Sequence, residues 1–162
     1  MKQIDSALLD VLTRKAKESP RKRMNFNLHQ ETTDPVQRLC NAIEPETYIR
    51  PHRHAEPATS EVFLLLRGSA VLLLFDGSGR VTEQAVLSPR GPLFAVEIPA
   101  GTWHAMASLE SETVFFEVKR GPYVPPTGGN VAAWAPPEGD PATARFVEWF
   151  RRAKAGDAPP AT

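Results

Sequence analysis

The chain has 162 residues, enough for one domain with a buried core. Its 19 basic and 19 acidic residues cancel, so no global charge draws it to nucleic acid or to an anionic membrane. A single cysteine, Cys40, excludes an internal disulfide and fits a reducing compartment. No stretch approaches the roughly 20 apolar residues of a spanning helix. The opening MKQIDSALLDVL carries acidic residues and no apolar signal core. The expectation is a soluble, cytoplasmic protein with no nucleic-acid or membrane partner. Proline stands at 16 of 162 positions against a usual share of about 5%. That frequency favours short strands joined by turns over a helical bundle.

Residues 4–18 place Ile4, Leu8, Val11, Leu12 and Lys15 at helical spacing, with Asp5 in the first turn, and the helix should end before Pro20. Its expected role is to cap or cover a β-barrel, with helix-mediated dimerisation as the lesser alternative. In RKRMNFNLHQ (21–30), Met24, Phe26 and Leu28 alternate with Asn25, Asn27 and His29, the period of a half-buried strand. The plain reading is an edge strand with a wet face. The functional one puts Arg21, Arg23, Asn25, Asn27 and His29 on one face, as a row for an anionic or hydroxyl-rich ligand.

Residues 36–50 read as two strands broken at Glu44-Pro45-Glu46. Tyr48 and Arg50 share the parity of His52 and His54 and are expected to line the same cavity. VFLLL (62–66) and AVLLLF (70–75) are nearly continuous apolar runs, so both of their faces should be covered. One fills the barrel, and the other meets the second subunit of a homodimer, the economical explanation, or the long terminal segments. Asp76-Gly77-Ser78-Gly79 is a hairpin turn leading to a strand over 81–87. Further strands are expected at 93–98, 104–109 and 113–119, for eight to ten in all. In FFEVKRGPYVPP (115–126), Glu117 and Lys119 share a side. They form either a surface salt pair or, with Tyr123, an interior acid–base group. Asp140-Pro141 starts a second helix with an apolar face of Phe146, Val147, Trp149 and Phe150, and residues 156–162 read as disordered.

Three of the four histidines fall in PHRHAEPATSEVFLLLRG (51–68) and PAGTWH (99–104). On a strand, His52 and His54 point to one face. Glu61 adds a carboxylate and His104 a third imidazole, a mixed nitrogen and oxygen set suited to a divalent first-row metal. Glu56, two residues after His54, is the rival carboxylate, though Glu61 fits better.

The spacing resembles the two motifs of the cupin superfamily, H-x-H-x(3,4)-E-x(6)-G and G-x(5)-P-x-G-x(2)-H-x(3)-N. It departs from them in three places. Six residues separate His54 from Glu61, the gap from Gly91 to Pro99 is two residues too long, and Ser108 stands in place of the final Asn. More closely, RMNFNLH (23–29), VQRLCNAIEPETYIRPHRH (36–54), WH (103–104), FEVKRGPY (116–123) and AWAPPEG (133–139) resemble the WbuC family of cupin-fold metalloproteins. The resemblance implies an all-β cupin double-stranded β-helix, a jelly-roll barrel with an N-terminal and a C-terminal helix. Together with the elements above, it divides the chain into a helix (1–20), a cupin barrel (21–125) and a C-terminal loop, helix and disordered tail (126–162). It implies metal ligands at His52, His54, Glu61 and His104 and one divalent ion among Zn, Fe, Mn, Ni and Co. It also implies a setting in bacterial surface polysaccharide (O-antigen) synthesis.

Three functions follow as expectations. The first is an isomerase or epimerase acting on a sugar or nucleotide-sugar intermediate. The ion would polarise a carbonyl or hydroxyl and Tyr123, Lys119 or His29 would move the proton. Arg21, Arg23, Asn25, Asn27, Tyr48, Arg50 and Glu117 would bind the ligand, a sugar or an anionic metabolite. The second is an Fe(II)-dependent dioxygenase. The third is a non-catalytic sugar-binding or regulatory protein.

Overall fold

The computed structural model describes residues 1–161. It contains α1 (Ser6–Glu18), β1 (Arg23–Asn27), β2 (Val36–Ile43), β3 (Glu61–Arg67), β4 (Ala70–Phe75), β5 (Val81–Leu87), β6 (Ala95–Ile98), β7 (Trp103–Ser108), β8 (Thr113–Arg120) and α2 (Thr143–Arg152). The strands form a five-stranded sheet in the order β1-β2-β8-β3-β6 and a three-stranded sheet in the order β5-β4-β7. Every pairing is antiparallel. This is the all-β jelly-roll sandwich with terminal helices expected from the sequence, although the two sheets do not close into a continuous barrel.

Alternation sets which side chains meet between the sheets. Phe63, Leu65 and Phe115 from the larger sheet pack with Ala70, Leu72 and Met106 from the smaller one. The helices cover part of each outer face, α1 over β1, β2 and β8 and α2 over β4 and β7. Asp5 caps α1, its side chain accepting from the Leu8 amide at 2.9 Å. The helix then sets Leu9, Leu12 and Ala16 against Cys40, Ala42, Met24 and Phe26. The buried stripe is thus rotated from the one expected: Ile4 and Val11 are exposed, and Asp5 precedes the helix.

On the other side, Phe146, Trp149 and Phe150 of α2 cover Val71, Leu73 and Phe75 of β4. The second apolar face of β4 therefore meets this chain's own helix, and its apolarity needs no partner subunit. Asp140 sits one turn before α2, with its carboxylate accepting from the Ala142 amide, so the helix starts later than expected. The tail read as disordered is held through residue 161. It pairs with the start of β5: the Gly156 amide donates to the Val81 carbonyl at 2.8 Å, and the Val81 amide to the Asp157 carbonyl at 2.9 Å. Arg145 reaches the Ala161 carbonyl. Thr162 lies outside the described residues.

Candidate metal centre and ligand cavity

Glu61 opens β3 on the larger sheet, and His104 stands on β7 of the smaller one, so the two face each other across the sandwich. His52 and His54 come from a segment that is not a regular strand. Its hold is local: His52 and His104 exchange backbone bonds at 3.1 and 2.9 Å, and His52 also bridges to Val131. Arg53 N–H bonds to Asn130 and Ala132 N–H to Pro51, so the segment after β8 runs beside the histidines and fixes them. Together His52, His54, Glu61 and His104 bring one ligand atom each to within 4.8 Å of one another.

The tautomers follow from the partners. Nδ1 of His52 faces the Arg50 carbonyl at 3.0 Å and Nδ1 of His104 faces the Thr102 carbonyl at 2.9 Å. A carbonyl only accepts, so both Nδ1 atoms carry a proton, and each ring in its neutral form presents a lone pair at Nε2. Glu61 Oε1 lies 2.8 Å from His104 Nε2 and 3.2 Å from His54 Nε2. Yet these three buried atoms have no aligned hydrogen-bond partner. Buried polar atoms are ordinarily bonded; atoms crowded together without bonds, and aimed at common space, fit a cation. Burial pushes His52 down to about 3, with His104 adding to the effect, so this imidazole stays neutral. Burial alone would raise Glu61, but His104, His54 and the charge of Lys119 hold it well below the usual carboxylate range. Neutral imidazoles and an ionised carboxylate are the forms that bind metal. Glu56 is exposed and outside the group, so the carboxylate of the candidate set is that of Glu61.

All four residues line a cavity of about 870 Å³, the size of a small-molecule site. One wall is the inner face of the larger sheet. The register sets Asn25 beside Asn41 and Asn27 beside Leu39, then Glu117 on β8. Asn41 donates to Glu117 at 2.9 Å. Lys119 lies 2.7 Å from Glu117 and 3.7 Å from Glu61. Burial would lower the Lys119 ammonium, but the charges of Glu117 and Glu61 outweigh it and raise it above its ordinary value. Tyr123 stands with its ring 5.8 Å from that ammonium. Phe63, Met106, Phe115 and Ile49 make the apolar part of the lining.

Other expected residues fall differently. Tyr48 does not line this cavity. It is buried in the outer core, its ring stacked 6.1 Å from Phe150 and its hydroxyl donating to Pro136 at 2.8 Å. Residues 47–50 are not a strand, so the parity counted back from His52 through Pro51 does not hold. Arg21 and Arg23 line the cavity but are not free. They share the carboxylate of Glu138, at 2.9 and 2.5 Å. His29 also lines it, with Nδ1 accepting from the Arg38 amide at 3.0 Å. It follows β1 where that strand meets Arg38, three strands from Glu61, or about 14 Å at ordinary strand spacing. Glu138, Asn41 and Asn130 were not singled out in the sequence. Asn and Glu are common in loops and wet strand faces, and only the register brings these together.

The fold and the donor set define a cupin-fold protein with a candidate metal centre. Residues 4–87 match the domain of unknown function DUF6016, and the chain belongs to that family. No curated protein matches the sequence. Among solved structures, KdgF from Halomonas sp. is similar at 18% identity and a TM-score of 0.50, over 65% of this chain and 84% of that one. TT1209 from Thermus thermophilus is similar at 23% identity and 0.51, over 74% and 97%. CapF, solved with the inhibitor 3-isopropenyl-tropolone, is similar at 19% and 0.51, over 62% of this chain and 29% of CapF. At these identities the likeness is one of fold.

Proposed function

We propose that the chain is a metal-dependent isomerase or epimerase acting on a sugar or nucleotide-sugar intermediate, in the cytoplasmic stage of bacterial surface polysaccharide synthesis. The observation that carries this reading is the composition of the cavity wall. A row of hydrogen-bonding side chains, Asn25, Asn27, Asn41 and Glu117, runs toward Lys119 and the His52, His54, Glu61 and His104 set. Hydroxyl-rich ligands are recognised by such convergent donors and acceptors. The resemblance to the WbuC family supports the biosynthetic setting.

His52, His54, Glu61 and His104 would hold the ion, which supplies polarisation of a carbonyl or hydroxyl when bound. The chain's own groups do the rest. The asparagines orient the sugar, and the apolar lining around Phe63 and Phe115 keeps the reacting end dry. Lys119, steadied by Glu117, and Tyr123, whose ring lies beside that ammonium, would move the proton at the substrate. His29, across the sheet, lines the distal end and stands apart from that step. A homodimer fits the exposure of Val62 and Phe94 near the β3–β6 edge, 39% and 56%, and sedimentation at micromolar concentration tests it.

The test is proton NMR of a nucleotide-sugar panel in D2O with metal-loaded protein. An isomerase or epimerase working by this proton transfer exchanges an α-carbonyl C–H for deuterium, and Lys119→Met abolishes the exchange. If no member of the panel exchanges or binds, the reading fails.

A further inference from the structure

Three arginines line the cavity, and the structure distinguishes them. Arg21 and Arg23 already hold Glu138 between them. Arg50 has no acidic side chain within ion-pair distance among the described residues. Its Nη2 donates to the Ala132 carbonyl at 2.9 Å, and its Nε is buried with no partner at all. Leaving a buried donor of a charged group unpaired is costly, and a guanidinium fork matches an oxyanion in two bonds. The same residue's carbonyl receives the proton of His52 Nδ1. Arg50 thus places its main chain against a metal-set histidine and its side chain on the cavity.

We infer that Arg50 is the anion-binding point of the cavity, taking a carboxylate or phosphate borne by the ligand, and that Glu138 keeps the Arg21–Arg23 pair out of that role. The ligand is therefore an acidic or phosphorylated sugar and not a neutral one. This deepens the sugar reading and rests on it only for the choice of carrier. The role is separable from metal binding, because a substitution of the side chain leaves the Arg50 carbonyl in place for His52.

The experiment is calorimetric titration of the zinc-loaded protein with glucose, glucuronate and glucose 1-phosphate, and with inorganic phosphate alone. Wild type is expected to favour at least one charged sugar over glucose by roughly tenfold or more, the scale of a charge-assisted fork. The preferred sugar decides between carboxylate and phosphate. Arg50→Gln removes the preference while zinc content stays at one per chain. The double variant Arg21→Gln with Arg23→Gln keeps it. If the preference survives in Arg50→Gln and disappears in the double variant, the anion point lies at the arginine pair and the inference is overturned. It is also overturned if wild type binds glucose and charged sugars alike, although the sugar reading then stands. Inorganic phosphate bound through Arg50 with no sugar bound does the reverse: it upholds Arg50 and removes the sugar. If Arg50→Gln does not fold, Arg50→Lys keeps the charge without the fork. It should weaken the charged sugar at least threefold and leave glucose unchanged, and an unchanged charged-sugar affinity overturns the inference.

Discussion

Both His54 and His104 face the same oxygen of Glu61, so at the scale of single residues that carboxylate is where the site is most sensitive. Glu61→Gln replaces a ligand oxygen and its charge by a neutral amide. Metal affinity should fall by more than the roughly 10–100-fold typical of losing an outer partner. Glu56→Gln, on an exposed residue outside the group, should leave it unchanged. Competition against a chromophoric chelator measures both, and the reverse order would reassign the carboxylate. His52→Ala should reduce bound metal to background by elemental analysis. Much of this site was legible because His-x-His and Pro-x-Gly-x-x-His state local geometry. Arg21, Arg23 and Tyr48 show the limit. Whether an arginine is free depends on a carboxylate 115 residues away, and Tyr48 turns outward because the strand parity stops before Pro51.

Among the elements, α2 and the segment before it matter most to the site, although they contribute no candidate ligand. Phe146 and Phe150 are fully buried against β4, and Val131 and Ala132 run beside the histidine segment. Phe150→Ala removes a large side chain from a packed cluster and should cost about 3–5 kcal/mol of stability, measured by urea denaturation. A loss under about 1 kcal/mol would mean that the helix does not hold the smaller sheet. The apolar face of α2 could be read directly from sequence at a period of 3.6, and so could most strands at a period of 2. What covers each face could not. The continuous apolar run of β4 says only that both sides are buried, and the helix that buries one of them lies some 70 residues further on. For α1 the period was clear but the phase was not, because Leu8, Leu9, Val11 and Leu12 offer two overlapping stripes and only packing on Cys40 and Met24 selects one.

Across the whole molecule, the candidate metal set ties three pieces that the chain supplies separately. Glu61 belongs to one sheet and His104 to the other, and His52 and His54 belong to a segment clamped by the C-terminal region. An ion bound there would act as a crosslink between the sheets and would give a partner to the unbonded Glu61 Oε1, His54 Nε2 and His104 Nε2. Unfolding separates these residues, so the ion binds the folded state alone and stabilises it by mass action. At a free metal concentration of 100 Kd the gain is about 2.7 kcal/mol. For a chain of this size each kcal/mol moves Tm by roughly 2–4 °C, so chelator-treated protein should gain about 5–10 °C when zinc, manganese or iron(II) is restored. Scanning calorimetry of wild type and His52→Ala in parallel isolates the site. The variant should start near the metal-free wild-type Tm and gain nothing from added metal. A rise of equal size in the variant would place the ion elsewhere, and no rise in wild type for any of the three metals would mean that the four residues are not a metal centre.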